Sequence, residues 1–151
     1  MGLIDYVSDL RKIIGTKTLI LTGAVVIIVN EEDQILLQNR NDGKWGLPGG
    51  LQELRESLEE TGQREVREET GLRVKDFKLL QVFSGEKYYF ELDHGDQFYS
   101  VTAVYVTDVF EGEFQNNEAE GREVRFFNQD NLPDNLTEEY LDYINSWEGI
   151  N

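Results

Sequence analysis

Apolar positions along the chain follow two periods, and the changes from one to the other mark the elements. In residues 3–14, Ile4, Val7, Leu10 and Ile14 recur at helical spacing and Gly15 follows as a stop, which predicts a short amphipathic helix. Residues 19–30 are rich in β-branched side chains and predict a buried strand. Asn30, Glu31, Glu32 and Asp33 form a turn, and residues 34–40 return as a second strand, making a hairpin. Residues 41–50 read as a loop carrying Trp45, Pro48 and several glycines. The clearest helix covers 57–70: Ser57 and Glu60 have capping-box spacing, and Gly71 stands where a left-handed cap belongs. Gly62, inside this helix, costs about 1 kcal/mol relative to Ala; a close approach to a neighbouring strand would account for it.

Strand-like runs follow at 74–83, 87–92, 97–109 and 123–127, with Asp93-His94-Gly95-Asp96 as a hairpin turn. Thr137 is placed to cap a last helix, with Glu138 and Glu139 in its first turn and Tyr140, Leu141 and Ile144 as its apolar stripe. The order helix, strands, helix, strands, helix predicts one α/β domain over residues 1–151, with helices packed on a mixed sheet and residues 1–16 as a helical extension.

Composition narrows the function classes. With 30 acidic against 14 basic residues the net charge is −16, a surface that repels DNA and RNA polymers. There is no cysteine, which removes disulfides, thiolate metal sites and a thiol nucleophile. No apolar run approaches the roughly 20 residues that span a bilayer, and the N-terminus lacks the regions of a signal peptide. The expectation is a cytoplasmic protein without a membrane partner.

The chemistry concentrates in residues 50–72: Gly50, five residues, Glu56, seven residues, Arg64-Glu65-Val66, one residue, Glu68-Glu69, one residue, Gly71-Leu72. A helix turns about 100° per residue, so Glu65 and Glu69 lie one turn apart on one side, with Glu68 beside them. Like charges at this spacing destabilise a bare helix. A hard divalent cation such as Mg²⁺ prefers carboxylate oxygens and would relieve that repulsion. Arg64 can hold a neighbouring carboxylate through paired hydrogen bonds, and glycine at 49 and 50 lets the backbone come close. A lone Glu-Glu pair on a helix is usually a solvated face; the full spacing is far more specific.

This stretch resembles the Nudix box at every defining position, and Gly43 to Gly50 resembles the segment before it. The resemblance implies an α/β/α sandwich with a mixed central sheet, and a metal-dependent hydrolase of nucleoside diphosphates linked to another moiety. It implies that Glu65 and Glu69 bind metal, that Glu68 is a ligand or base in the same cluster, that the Gly49 carbonyl is a further ligand, and that Glu56 and Arg64 position the cluster. The implied cofactor is Mg²⁺, with Mn²⁺ as a substitute. Glu65 or Glu68 serves as general base, or else a later carboxylate does: Glu120 is favoured for its place before a late strand, with Glu118 and Glu123 as rivals.

The substrate is less legible. Arg40 could reach a phosphate, and Trp45, Phe83 and Tyr89, with Tyr88, Phe98 and Tyr99, are the aromatics available to stack on a base, although aromatics in strands are most often core. Tyr88 and Tyr89 stand where dinucleoside polyphosphate hydrolases of the family carry a tyrosine. Open readings are therefore a dinucleoside polyphosphate or ADP-sugar hydrolase, a nucleoside triphosphate sanitiser acting on oxidised dGTP, a promiscuous housecleaner, and, from another class, a non-catalytic nucleotide sensor. The leading helix packs on the sheet or on a second subunit, so a homodimer also stays open.

Overall fold

The computed structural model describes residues 5–40, 42–114 and 123–147. Along the chain it has α1 (Tyr6–Ile14), β1 (Leu19–Ile28), β2 (Ile35–Asn39), β3 (Trp45–Gly46), β4 (Gly49–Leu51), α2 (Leu58–Thr70), β5 (Arg73–Lys75) and β6 (Lys78–Phe83). A 3-10 turn at Glu86–Tyr88 leads into β7 (Tyr89–Glu91), followed by β8 (Gln97–Thr107), β9 (Val109–Glu111), β10 (Glu123–Phe127) and α3 (Glu138–Asn145).

β1 is the centre. Its β-branched run pairs in parallel with β8 from Leu19↔Phe98 to Ile28↔Thr107, and antiparallel with β4 on its other edge. β6 and β7 both pair antiparallel with β8, so the main sheet is mixed. The alternation of side chains along β1 divides the core in two. Val25, Ile27 and Val29 face a cluster with Tyr143 and Ile144 of α3, whereas Val26 and Ile28 face Val66 of α2. Helices thus cover both faces of the sheet, as an α/β/α sandwich requires. Each of these fully buried aliphatic side chains contributes about 1.5–3 kcal/mol.

α2 forms as its sequence predicts. Ser57 accepts from the Glu60 N–H and Glu60 reaches back to the Ser57 N–H, a complete capping box, and Gly71 ends the helix at φ 84°. Gly62 has its reason too: a Cβ there would stand 2.9 Å from Phe77 and 3.0 Å from Val26 on β1. The predicted β10 and the turn at Asp93–Asp96 also form.

Several boundaries differ from expectation. β2 meets β1 through the Val29↔Ile35 bridge, but its ladder partners are β10 and β3, in a separate three-stranded sheet. The predicted loop 41–50 contains β3 and the start of β4. Run 74–83 breaks at Asp76, which adopts φ 55°, and run 97–109 breaks at Asp108, so that β5 and β9 pair with each other away from the main sheet. In α3 the buried stripe is Tyr143 and Ile144, while Leu141 is exposed. Thr137 stands at the N-cap without a side-chain cap bond. Among the described residues no helix is long and apolar enough to cross a membrane.

Candidate active site

The segment leading into α2 is stitched to β1. The Val26 N–H donates to the Pro48 carbonyl and the Gln52 N–H to the Thr22 carbonyl, with Gly50 opposite Ala24 and Gly49 opposite Val25 between them. Side chains would prevent this approach. A Cβ on Gly49 would strike the Val25 backbone at 2.8 Å, and one on Gly50 would stand 2.5 Å from the Glu65 carboxylate. Gly49 therefore lets the segment close on β1, and Gly50 leaves the space into which the Glu65 carboxylate fits.

Glu69 reaches the same segment, its Oε1 accepting from the Gly49 N–H at 2.9 Å. Arg64 ties the rest together. It donates from Nε and Nη2 to both oxygens of Glu56, at 2.5 and 3.0 Å, from Nη1 to Glu65 at 2.7 Å and to Glu68 at 3.0 Å, and from Nη2 to the Leu51 carbonyl at 3.0 Å. Glu56 also accepts from the Glu53 N–H and the Thr61 hydroxyl. Arg64, foremost, and these further donors hold the Glu56 carboxyl down at about 2. Hydrogen bonding to its carboxylate partners, Glu56 first, raises Arg64 further above its ordinary value.

Glu65 moves the other way. Burial first, then the charge of Glu69 and more weakly that of Glu68, push it up to about 7 against the pull of Arg64. A carboxylate raised by burial and by its acidic neighbours, despite its bond to Arg64, fits a place that a divalent cation completes. The carboxylates stop short of a closed cage: among the described residues no three His, Cys, Asp or Glu side chains stand ready to hold an ion by themselves.

A cleft of about 310 Å³ opens beside Gly49 and Gly50, between the sheet and α3. Phe90 and Phe98 line it, their rings stacked at 5.4 Å, as do Arg40, Glu139 and Tyr140. Burial raises Glu139 above the usual carboxylate range.

The predicted residues divide accordingly. Glu56, Arg64, Glu65, Glu68 and Glu69 come together with Gly49, and Arg40 lines the cleft. Trp45 is buried against Phe127, and Phe83 against Tyr88 and Tyr143, both as core members. Tyr89 pairs with Tyr99 on the sheet face opposite Phe90 and Phe98. Glu118 and Glu120 lie outside the described residues, and Glu123 is exposed at the start of β10 beside Arg125. Sequence reasoning missed Phe90, Glu139 and Tyr140. The alternation of Tyr89 and Phe90 along one strand could have separated the cleft-facing ring from its neighbour.

Comparison with known proteins identifies the family. The model of the NUDIX domain matches residues 20–146. A curated relative, the ADP-ribose pyrophosphatase of Methanocaldococcus jannaschii, is 35% identical over 114 residues, which cover 73% of this chain and 63% of that protein. A putative 8-oxo-dGTP diphosphatase of Bacillus subtilis is 43% identical over 67 residues, covering 44% of this chain and 45% of the relative. The chain thus spans less than two thirds of the length of either relative. Among solved structures, a MutT NUDIX hydrolase from Burkholderia pseudomallei superposes with a TM-score of 0.71 at 30% identity, over 84% of this chain and 97% of that one.

Proposed function

This chain belongs to the NUDIX domain family, and from that premise we propose that it hydrolyses the pyrophosphate bond of a nucleoside diphosphate linked to another moiety, an ADP-sugar or a dinucleoside polyphosphate. The observation that carries the reading is the part-buried Glu65 carboxylate, bonded to Arg64, crowded by Glu69 and Glu68, and set with Glu69 against Gly49 and Gly50 beside an aromatic-lined cleft. Members of the family use divalent cations. Mg²⁺ or Mn²⁺ would be held here by Glu65, Glu69, Glu68 and the Gly49 carbonyl, and when bound would neutralise the pyrophosphate and acidify an attacking water.

The chain's own residues do the rest. Arg64 and Glu56 hold the carboxylates in register. Arg40 offers N–H donors to the phosphates, and Phe90 and Phe98 offer an apolar wall to the base. The proton of the attacking water passes to Glu65 or Glu68, or to Glu120. The 35% identity to the ADP-ribose pyrophosphatase of M. jannaschii, over 63% of that protein, supports the ADP-sugar reading. The second reading, hydrolysis of a nucleoside triphosphate such as oxidised dGTP, draws support from the 43% identity to the B. subtilis protein.

The test is incubation with Mg²⁺ and diadenosine polyphosphates, ADP-ribose, nucleotide sugars, dNTPs and oxidised dGTP, with chromatography of the products and Glu69→Gln as blank. Metal-dependent cleavage of one class, absent in the blank, bears out the hydrolase and selects the substrate. Silence across the panel with nucleotide binding retained overturns it in favour of a sensor.

A further inference from the structure

Arg40 is the one cation among the described residues that line the cleft. A long arginine side chain is free to sample many rotamers, and an anion that must first order it binds less tightly. Here it is already ordered. Its Nη2 donates to the Tyr140 hydroxyl at 2.6 Å, and its guanidinium carbon lies 5.5 Å from the centre of the Tyr140 ring. Tyr140 in turn is slotted against β3. Gly46 leaves the space: a Cβ there would stand 2.7 Å from the tyrosine ring.

The phenol is set up to do more than hold Arg40. Burial pushes it up to about 12, with Glu69 among the charges that oppose its ionisation, so it stays neutral and keeps its proton. The oxygen accepts from Arg40, and among the described residues its own O–H meets no acceptor. One Arg40 N–H is used in this contact, which leaves the other donors of the fork available.

We propose that Tyr140 is a substrate-positioning residue, its hydroxyl fixing Arg40 beside Gly49 and Gly50 and offering its own O–H to the same anionic group, a phosphate of the nucleotide. The inference rests on the hydrolase reading of this cleft. It assigns to α3 a part in phosphate recognition as well as in covering the sheet, and it explains why a glycine stands at position 46 within a strand.

Steady-state kinetics on the preferred nucleotide test it, with Tyr140→Phe, Arg40→Gln, the double variant and Gly46→Ala. A lost hydrogen bond to a charged partner corresponds to about a tenfold rise in KM. That rise is expected for each single variant, with kcat within about threefold of the parent. The double variant is expected to raise KM by clearly less than the product of the two single effects, because part of each single effect is the loss of the shared Arg40–Tyr140 contact. Gly46→Ala keeps the hydroxyl but displaces the ring, and gives the same KM signature. A KM for Tyr140→Phe within about twofold of the parent, or effects that simply multiply in the double variant, overturns the assignment. Should the parent cleave no nucleotide, the hydrolase reading fails instead. Calorimetric binding of ADP then tests Tyr140 by the same criterion, a weaker Kd in Tyr140→Phe bearing the pair out and an unchanged one overturning it.

Discussion

α2 buries Thr61, Gly62, Val66 and Thr70, while α1 buries none of its residues and leaves Ile13 82% exposed. Both helices are amphipathic and both are capped by a side chain, Asp5 for α1 and Ser57 for α2. They differ in what lies against the apolar stripe. Gly62 lets α2 settle directly on β1. α1 is held instead by polar ties to backbone: Arg11 donates to the carbonyls of Gly15, Lys17 and Gln97, and the Tyr6 N–H donates to Glu53. Periodicity makes a helix; a matching groove makes it part of a core.

The largest effect expected from breaking this contrast falls on activity. Glu69→Gln keeps an oxygen to accept from Gly49 but removes the charge. Turnover is expected to fall by about 10³-fold or more while circular dichroism stays native, whereas Leu10→Ala in α1 leaves turnover unchanged. Stability follows. Val66→Ala is expected to lose about 2–3 kcal/mol in urea titrations, against less than about 0.5 kcal/mol for Leu10→Ala. Gly62→Ala should stabilise an isolated helix, but here the methyl meets Phe77 and Val26, so a loss of about 1–2 kcal/mol is expected. A gain in Tm would refute the close packing of α2 on β1.

Acid sensitivity sharpens the comparison further. Glu56 is lowered from 4.5 to about 2 in the folded state, so its contribution is complete above pH 4.5 and is lost as pH falls through 2. That contribution is about 1–2 kcal/mol once solvent screening is allowed for. Glu56→Gln is expected to flatten this part of the pH–stability curve. The smallest effects separate the two caps. Ser57→Ala should cost about 1 kcal/mol of global stability. Asp5→Ala should fray α1 alone, visible in amide exchange but not in the global transition.

The sequence made some of these features visible and hid others for definite reasons. α2 was legible because cap, stripe and terminal glycine are all local signals. The Arg64–Glu65–Glu68–Glu69 set was legible because a helix fixes relative direction. The partner of β2 was not: alternation tells which way a side chain points, and β10 pairs with it from far along the chain. Asp76 interrupts an apolar run with a left-handed backbone that periodicity does not register. Trp45 and Phe83 drew attention as large aromatics, yet size favours the core. Tyr140 was read only as part of a stripe, although a tyrosine in such a stripe brings a hydroxyl that needs a destination.

The parallel ladder between residues 19–28 and 98–107 has a consequence for the order of assembly. As the chain leaves the ribosome, β1 and the glycine segment stitched to it are made early, but the strand that completes β1's long edge comes only after α2 and the three strands β5, β6 and β7 have been synthesised. Closing so long a loop is slow compared with forming a hairpin. Until it closes, the apolar edge of β1 is exposed to other chains. The carboxylate cluster takes its shape from β1 through Gly49 and Gly50, so its framework is complete only when that long-range pairing is made.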